Sequence, residues 1–197
     1  MKNNIKLLSI FIMMFMFLSV TSCKIESADD FSDMKIIYEG SVNSLTVSDV
    51  DELYRIADYV IVASPTQTIY EAEQVWCDDD NNLTEDFSSV APVYSYIKRN
   101  YKINKVYKGT NLKLKEITIC ESLAVNDNEI KALPGDYAVK KGNKYLLFVG
   151  KSNIDDNLYF PILYQGKYDL EEDNEKNAQV DKKMLKQVKE KYKEDFK

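Results

Sequence analysis

VYSYIKRNYKINKVYK, residues 93–108, decides the fold. Its tyrosines and β-branched residues suit a long, pleated, half-buried strand. Ile97, Tyr101 and Ile103 fall on one face of that strand, and Val106 falls out of phase with them. One extra residue near Asn104–Lys105, a β-bulge, returns Val106 to the inner face. Gly109 then ends the strand.

The neighbouring segments point the same way. Tyr59–Ala63, YVIVA, is a continuous apolar run rich in β-branched residues, so it reads as a buried strand. Pro65 after it suggests an edge or bulge position. Leu114–Cys120 reads as a third strand, with Ile117 and Ile119 on its inner face, and Tyr145–Val149, YLLFV, as another buried one. Tyr159–Leu163 and Gly166–Leu170 supply a last strand or hairpin. Turns at Pro134-Gly135-Asp136 and Lys141-Gly142-Asn143 separate these runs. Five or so strands, curved by bulges and without βαβ alternation, imply a mainly β chain folded as a small OB-like β-barrel.

Two helices flank this β-rich region. In TVSDVDELYRIAD, Ser48 is the expected N-cap, with Asp51 as a partial capping box, and Val50, Leu53 and Ile56/Ala57 share one face. At the other end, Glu175–Lys197 reads as an amphipathic helix. Val180, Met184, Val188 and Tyr192 recur every four residues, and Leu185 and Phe196 widen the stripe. From Lys176 onward the chain holds eight lysines and four acids. The expectation is that the apolar stripe closes one side of the barrel; lying on anionic lipid through the lysines is the alternative. A strand at Lys35–Glu39 precedes the first helix.

The order of these elements resembles small exported bacterial proteins sharing a "V..V.KG … G..YLLFL" pattern. Ala57-Asp58, Lys105–Gly109 and Gly142–Phe148 carry the likeness. Over about residues 48–170 the chain is also similar to the OB-type barrel of netrin-like modules and tissue inhibitors of metalloproteinases. In those inhibitors a free N-terminal cysteine chelates the target's zinc. The matching terminus here would carry lipid, and their disulfide framework is missing, so that activity does not transfer.

The first residues, MKNNIKLLSIFIMMFMFLSVTSC, set an address. Lys2 and Lys6 form a positive head, and Leu7–Val20 is an apolar run shorter than the roughly 20 residues of a membrane-spanning helix. That is the form of an export signal. Val20-Thr21-Ser22-Cys23 resembles the lipobox of bacterial lipoproteins, in which the cysteine sulfur takes a diacylglyceryl group and the chain is cut just before it. The resemblance implies a signal peptide at 1–22, an acylated Cys23 and a cell-membrane address facing the extracytoplasmic side. An acidic tether at 23–33, a β-barrel domain at 34–174 and the terminal helix at 175–197 follow. Two or three acyl chains hold a protein durably where one does not.

Composition excludes more than it assigns. The chain has no histidine, which removes Ser-His-Asp and Cys-His catalysis and histidine-ligated metal centres. Without Lys2 and Lys6 it carries 24 basic and 32 acidic residues, and Arg55 and Arg99 are its only arginines. Such a chain is poorly suited to nucleic acid. Cys77 and Cys120 form a possible disulfide, worth roughly 4 kcal/mol on the chain-entropy account; two separate thiols are the alternative. Asp78, Asp80 and Asn82 place oxygen ligands at alternate positions, a weak calcium candidate. Leu83 and Ser89 stand where an EF-hand needs glycine and glutamate, and a solvated acidic loop is the simpler reading. Tyr94, Tyr96 and Lys98 share the outer strand face, a possible ligand face. Lys144 and Ser152 have the residue types of a Ser-Lys pair, but nothing in their setting singles them out. No carboxylate stands where burial is expected. The expectation is therefore a non-enzymatic, cofactor-free binding module, anchored by lipid, for an envelope or secreted protein or a glycan. A structural or protective, immunity-type lipoprotein comes second, and a histidine-free hydrolase last.

Overall fold

A computed structural model of the chain describes residues 34–38, 47–76, 95–109, 114–126, 129–152, 155, 157–162, 165–174 and 177–196. Ten strands and two helices lie within them: β1 (Lys35–Tyr38), α1 (Val50–Ile56), β2 (Tyr59–Pro65), β3 (Glu73–Trp76), β4 (Ser95–Lys108), β5 (Glu116–Glu121), β6 (Leu123–Asn126), β7 (Glu129–Ala132), β8 (Tyr145–Lys151), β9 (Leu158–Pro161), β10 (Lys167–Asp169) and α2 (Lys182–Lys191).

Five of the strands close into a barrel. β4 pairs with β2 on one edge and β5 on the other, β5 runs parallel to β9, β9 returns to β8, and β8 pairs with β2. The fold is thus the small OB-like β-barrel with two helices that the strand patterns imply. β4 is long enough to serve two partners along one edge, β2 against its second half and β3 against its first.

The bulge lies where the phase break places it. Val62 faces Lys105 and Ala63 faces Ile103, so Asn104 is the extra residue. A second register shift leaves Tyr107 extra between Val106 and Lys108. Together they bend β4 and turn Val106 onto the main core. Gly109 ends the strand at φ +87°, where a Cβ would also run into the Tyr59 ring. Pro65 is the last residue of β2.

The core packs both faces of the barrel wall: Ile61, Ile117 and Ile119 line the interior, Val60, Leu146 and Phe148 point outward, and all six are fully or almost fully buried. α1 adds Leu53, and α2 covers the outer face of the wall with Met184, Leu185 and Val188, flanked by Val180 and by Tyr192, whose ring meets Phe148 at 5.9 Å. The terminal apolar stripe therefore faces the barrel. Both helices start later than the sequence suggests. Asp49, not Ser48, caps α1, accepting from the amides of Asp51 and Glu52, while Glu52 reaches back to Ser48. α2 begins at Lys182 rather than 175, because Asp181 supplies the capping carboxylate to Lys183 and Met184.

A second, three-stranded sheet, β1-β7-β6, is an addition the sequence pattern does not reveal. It covers a smaller cluster of Ile69, Ile97, Leu123, Ile130 and Ala132. Its edge strand β1 alternates so that Ile36 and Tyr38 share a face, and both are exposed.

Candidate functional site

Three stretches far apart in sequence meet in one cleft of about 270 Å³. β1 brings Ile36 and Tyr38. The irregular segment before β8, with the first residue of β8, brings Tyr137, Ala138, Lys140 and Tyr145. The chain from β10 toward α2 brings Asp169, Glu172, Asp173, Asn174 and Asn177.

The acidic wall is held in shape by its own turn. Asp169 Oδ1 accepts from the amides of Glu171 and Glu172 at 2.8 and 3.0 Å, and its Oδ2 accepts from Asn143 Nδ2 at 3.3 Å. Asn174 Oδ1 accepts from the Asp169 amide at 3.0 Å and returns its own Nδ2 to the Asp169 carbonyl. Such turns fix a side chain before any ligand arrives. Lys140 Nζ reaches Glu172 Oε1 at 2.5 Å across the cleft.

The phenols form the floor. Tyr145 OH accepts from the Lys140 amide at 2.8 Å, and Tyr137 OH donates to the Lys167 carbonyl at 2.9 Å. Burial drives both phenols well above the usual tyrosine range. Tyr38 is raised too, by burial and then by Asp136. These rings stay neutral; Tyr137 and Tyr145 are buried, the Lys167 ammonium lies over the Tyr137 ring at 4.5 Å, and exposed Tyr38 is the phenol open to a ligand. Three carboxylates against one lysine make the lining acidic. The combination of acid and aromatic face suits a cationic amine, which gains from both carboxylates and ring faces.

Beneath the cleft lies a charge cluster absent from the sequence-based expectations. Arg99, Tyr101 and Glu121 are all fully buried. Arg99 Nε stands 3.3 Å from Glu121 Oε1, and Tyr101 OH donates to the same oxygen at 2.8 Å. Arg99 Nη1 donates to the Val139 carbonyl at 2.8 Å. Val139 sits between Ala138 and Lys140, so Arg99 pins the cleft wall from inside. Glu121 corrects the expectation that no carboxylate is buried. The signal was present as phase: Arg99 lies two residues from Ile97 and from Tyr101, and Glu121 two from Ile119. With no exposure, Glu121 touches no ligand in this conformation; its place is in the frame.

The other candidates distribute as follows. Tyr96 packs edge-on to Phe160 at 6.2 Å, and Lys98 Nζ pairs with Glu73 at 3.1 Å; Tyr94 lies outside the described residues. Cys120 is a buried free thiol, pushed up to about 12 chiefly by burial, while Cys77 lies outside the described residues. Cys23, Asp78, Asp80 and Asn82 also lie outside them. Among the described residues no group of three or more His, Cys, Asp or Glu side chains could hold a metal ion. Lys144 and Ser152 flank opposite ends of β8, roughly 25 Å apart by strand rise, and cannot act as a pair. No helix among the described residues is long and apolar enough to cross a membrane. Comparison with known proteins returns no matching family model, curated protein or solved structure.

Proposed function

We propose that this chain is a lipid-anchored binding module on the extracytoplasmic side of a cell membrane, tethered through acylated Cys23. The lipobox-like VTSC motif supports the anchor. The observation that carries the binding role is the acid-and-tyrosine cleft, in which hydrogen bonds hold the Asp169 carboxylate and the Lys140 ion pair holds that of Glu172. Its chemistry favours a positively charged amine. Two sources offer one: a basic side chain of an envelope or secreted protein, and a glycan bearing free amino groups. Preorganisation lowers the ordering cost of binding.

Titration of the detergent-solubilised protein tests this with two probes, an oligolysine peptide and a glucosamine oligomer, each beside its N-acetylated form. One charged probe binds at least tenfold tighter than its acetylated form, and Glu172→Gln/Asp173→Asn removes the difference. If charge on the probe makes no difference, or the double variant binds as the native chain does, the cleft is not the binding site.

A further inference from the structure

We infer that the outward face of α2 docks on an anionic lipid surface, so that the molecule is held against the membrane by a helix as well as by its tether. The inference rests on the anchoring of Cys23 proposed above, and adds to it an orientation.

α2 has two chemically distinct sides. Met184, Leu185 and Val188 are buried against the barrel wall. Lys182, Lys186 and Lys189, spaced four and three residues apart, line a shallow groove with Leu185. They share one stripe of the helix. The ten residues of α2 hold five lysines and one acid, in a chain whose net charge is −6. Lys182, Lys183 and Lys186 are exposed and Lys189 is half-buried, while Lys191 reaches Asp51 of α1 at 2.6 Å.

Position selects lipid as the occupant. Lys182 Nζ bonds the carbonyls of Asn174 and Asn177 at 3.3 and 3.0 Å. Those two asparagines line the cleft beside Ile36 and Tyr38 of β1. The head of the lysine row thus lies at the end of the molecule where β1 leads back toward Cys23. Residues 23–33 span at most about 40 Å. A body held that close to a bilayer meets headgroups at high local concentration, and lysines near an anionic surface each strengthen attachment by roughly fivefold.

The native anchored protein is reconstituted into vesicles of phosphatidylcholine alone and of phosphatidylglycerol alone, then labelled with a membrane-impermeant amine reagent. Flotation with phosphatidylcholine vesicles reports the Cys23 anchor by itself. Labelling of Lys182, Lys186 and Lys189, relative to the exposed Lys115 and Lys144, reports the helix face. Severalfold protection of the three on phosphatidylglycerol only, lost near 1 M salt where the screening length is about 3 Å, is the expected result. Equal labelling on both vesicles overturns the inference, even where flotation upholds the anchor. Protection by soluble poly(glycerol phosphate) but not by phosphatidylglycerol overturns it in favour of an anionic polymer.

Discussion

The molecule uses charge in two opposite ways. Arg99 and Glu121 sit at zero exposure in the frame, whereas Lys140, Glu172, Asp173 and the α2 lysines line surface depressions. A buried pair is costly to desolvate, and removal of one partner leaves the other stranded. Exposed pairs contribute little to stability. The interior charges are therefore committed to folding, and the surface charges are available for binding. The contrast predicts which substitutions damage the fold and which alter only recognition.

Breaking the interior pair should have the largest effect. Arg99→Met leaves Glu121 without its cation and releases the Val139 carbonyl, costing about 3–5 kcal/mol in urea unfolding. Arg99→Met/Glu121→Leu should recover most of that loss, because similar apolar volume replaces both charges. A double variant as unstable as the single one would show that the pair is not the unit at work.

Next comes the helix packed on the barrel wall. Met184→Ala opens a cavity under α2 and should cost about 2–3 kcal/mol, the lower part of the range for such truncations. The same assay measures it, and an unchanged midpoint would mean that the packing of α2 on the barrel wall does not stabilise the fold.

Alkaline pH sharpens the contrast without mutation. Burial raises Tyr101, Tyr137, Tyr145, Tyr168 and Tyr192 above their ordinary value of 10.0, and Cys120 from 9.0 to about 12. Above those ordinary values the unfolded chain releases protons that the folded one keeps. The stability tied to these groups is complete below about pH 9 and is lost as pH climbs toward their folded values. Tyrosinate absorbance should therefore rise in two steps, exposed phenols first and the buried set only with unfolding. Alkylation of Cys120 should follow the second step.

The smallest stability effect belongs to the surface. Glu172→Gln/Asp173→Asn should leave the melting temperature within experimental scatter while abolishing preference for a charged probe. A large fall in melting temperature would place these carboxylates with the structural charges instead.

Much of the frame was legible because strand physics is local. YVIVA and YLLFV announce buried strands by composition, and the displaced phase of Val106 reports the bulge at Asn104. The interior pair was missed because charge outweighed phase: Arg99 and Glu121 keep the inward register of their strands, yet Arg99 entered only the charge count and no carboxylate was expected to be buried. β6 and β7 are four residues each, too short to show a period against Asn126 and Glu129. The cleft had no local signature at all. Its walls come from residues near 36, 140 and 172, and only the pairing of β1 with β7 and of β10 with β8 brings them together.

Intact-mass and N-terminal peptide analysis of the protein recovered from the membranes of its own cells addresses the anchored state on which both binding surfaces depend. The account predicts a chain that begins at Cys23 and carries a thioether-linked diacylglyceryl group. A leader still attached to an unmodified cysteine, or a mature terminus at any other residue, would contradict it.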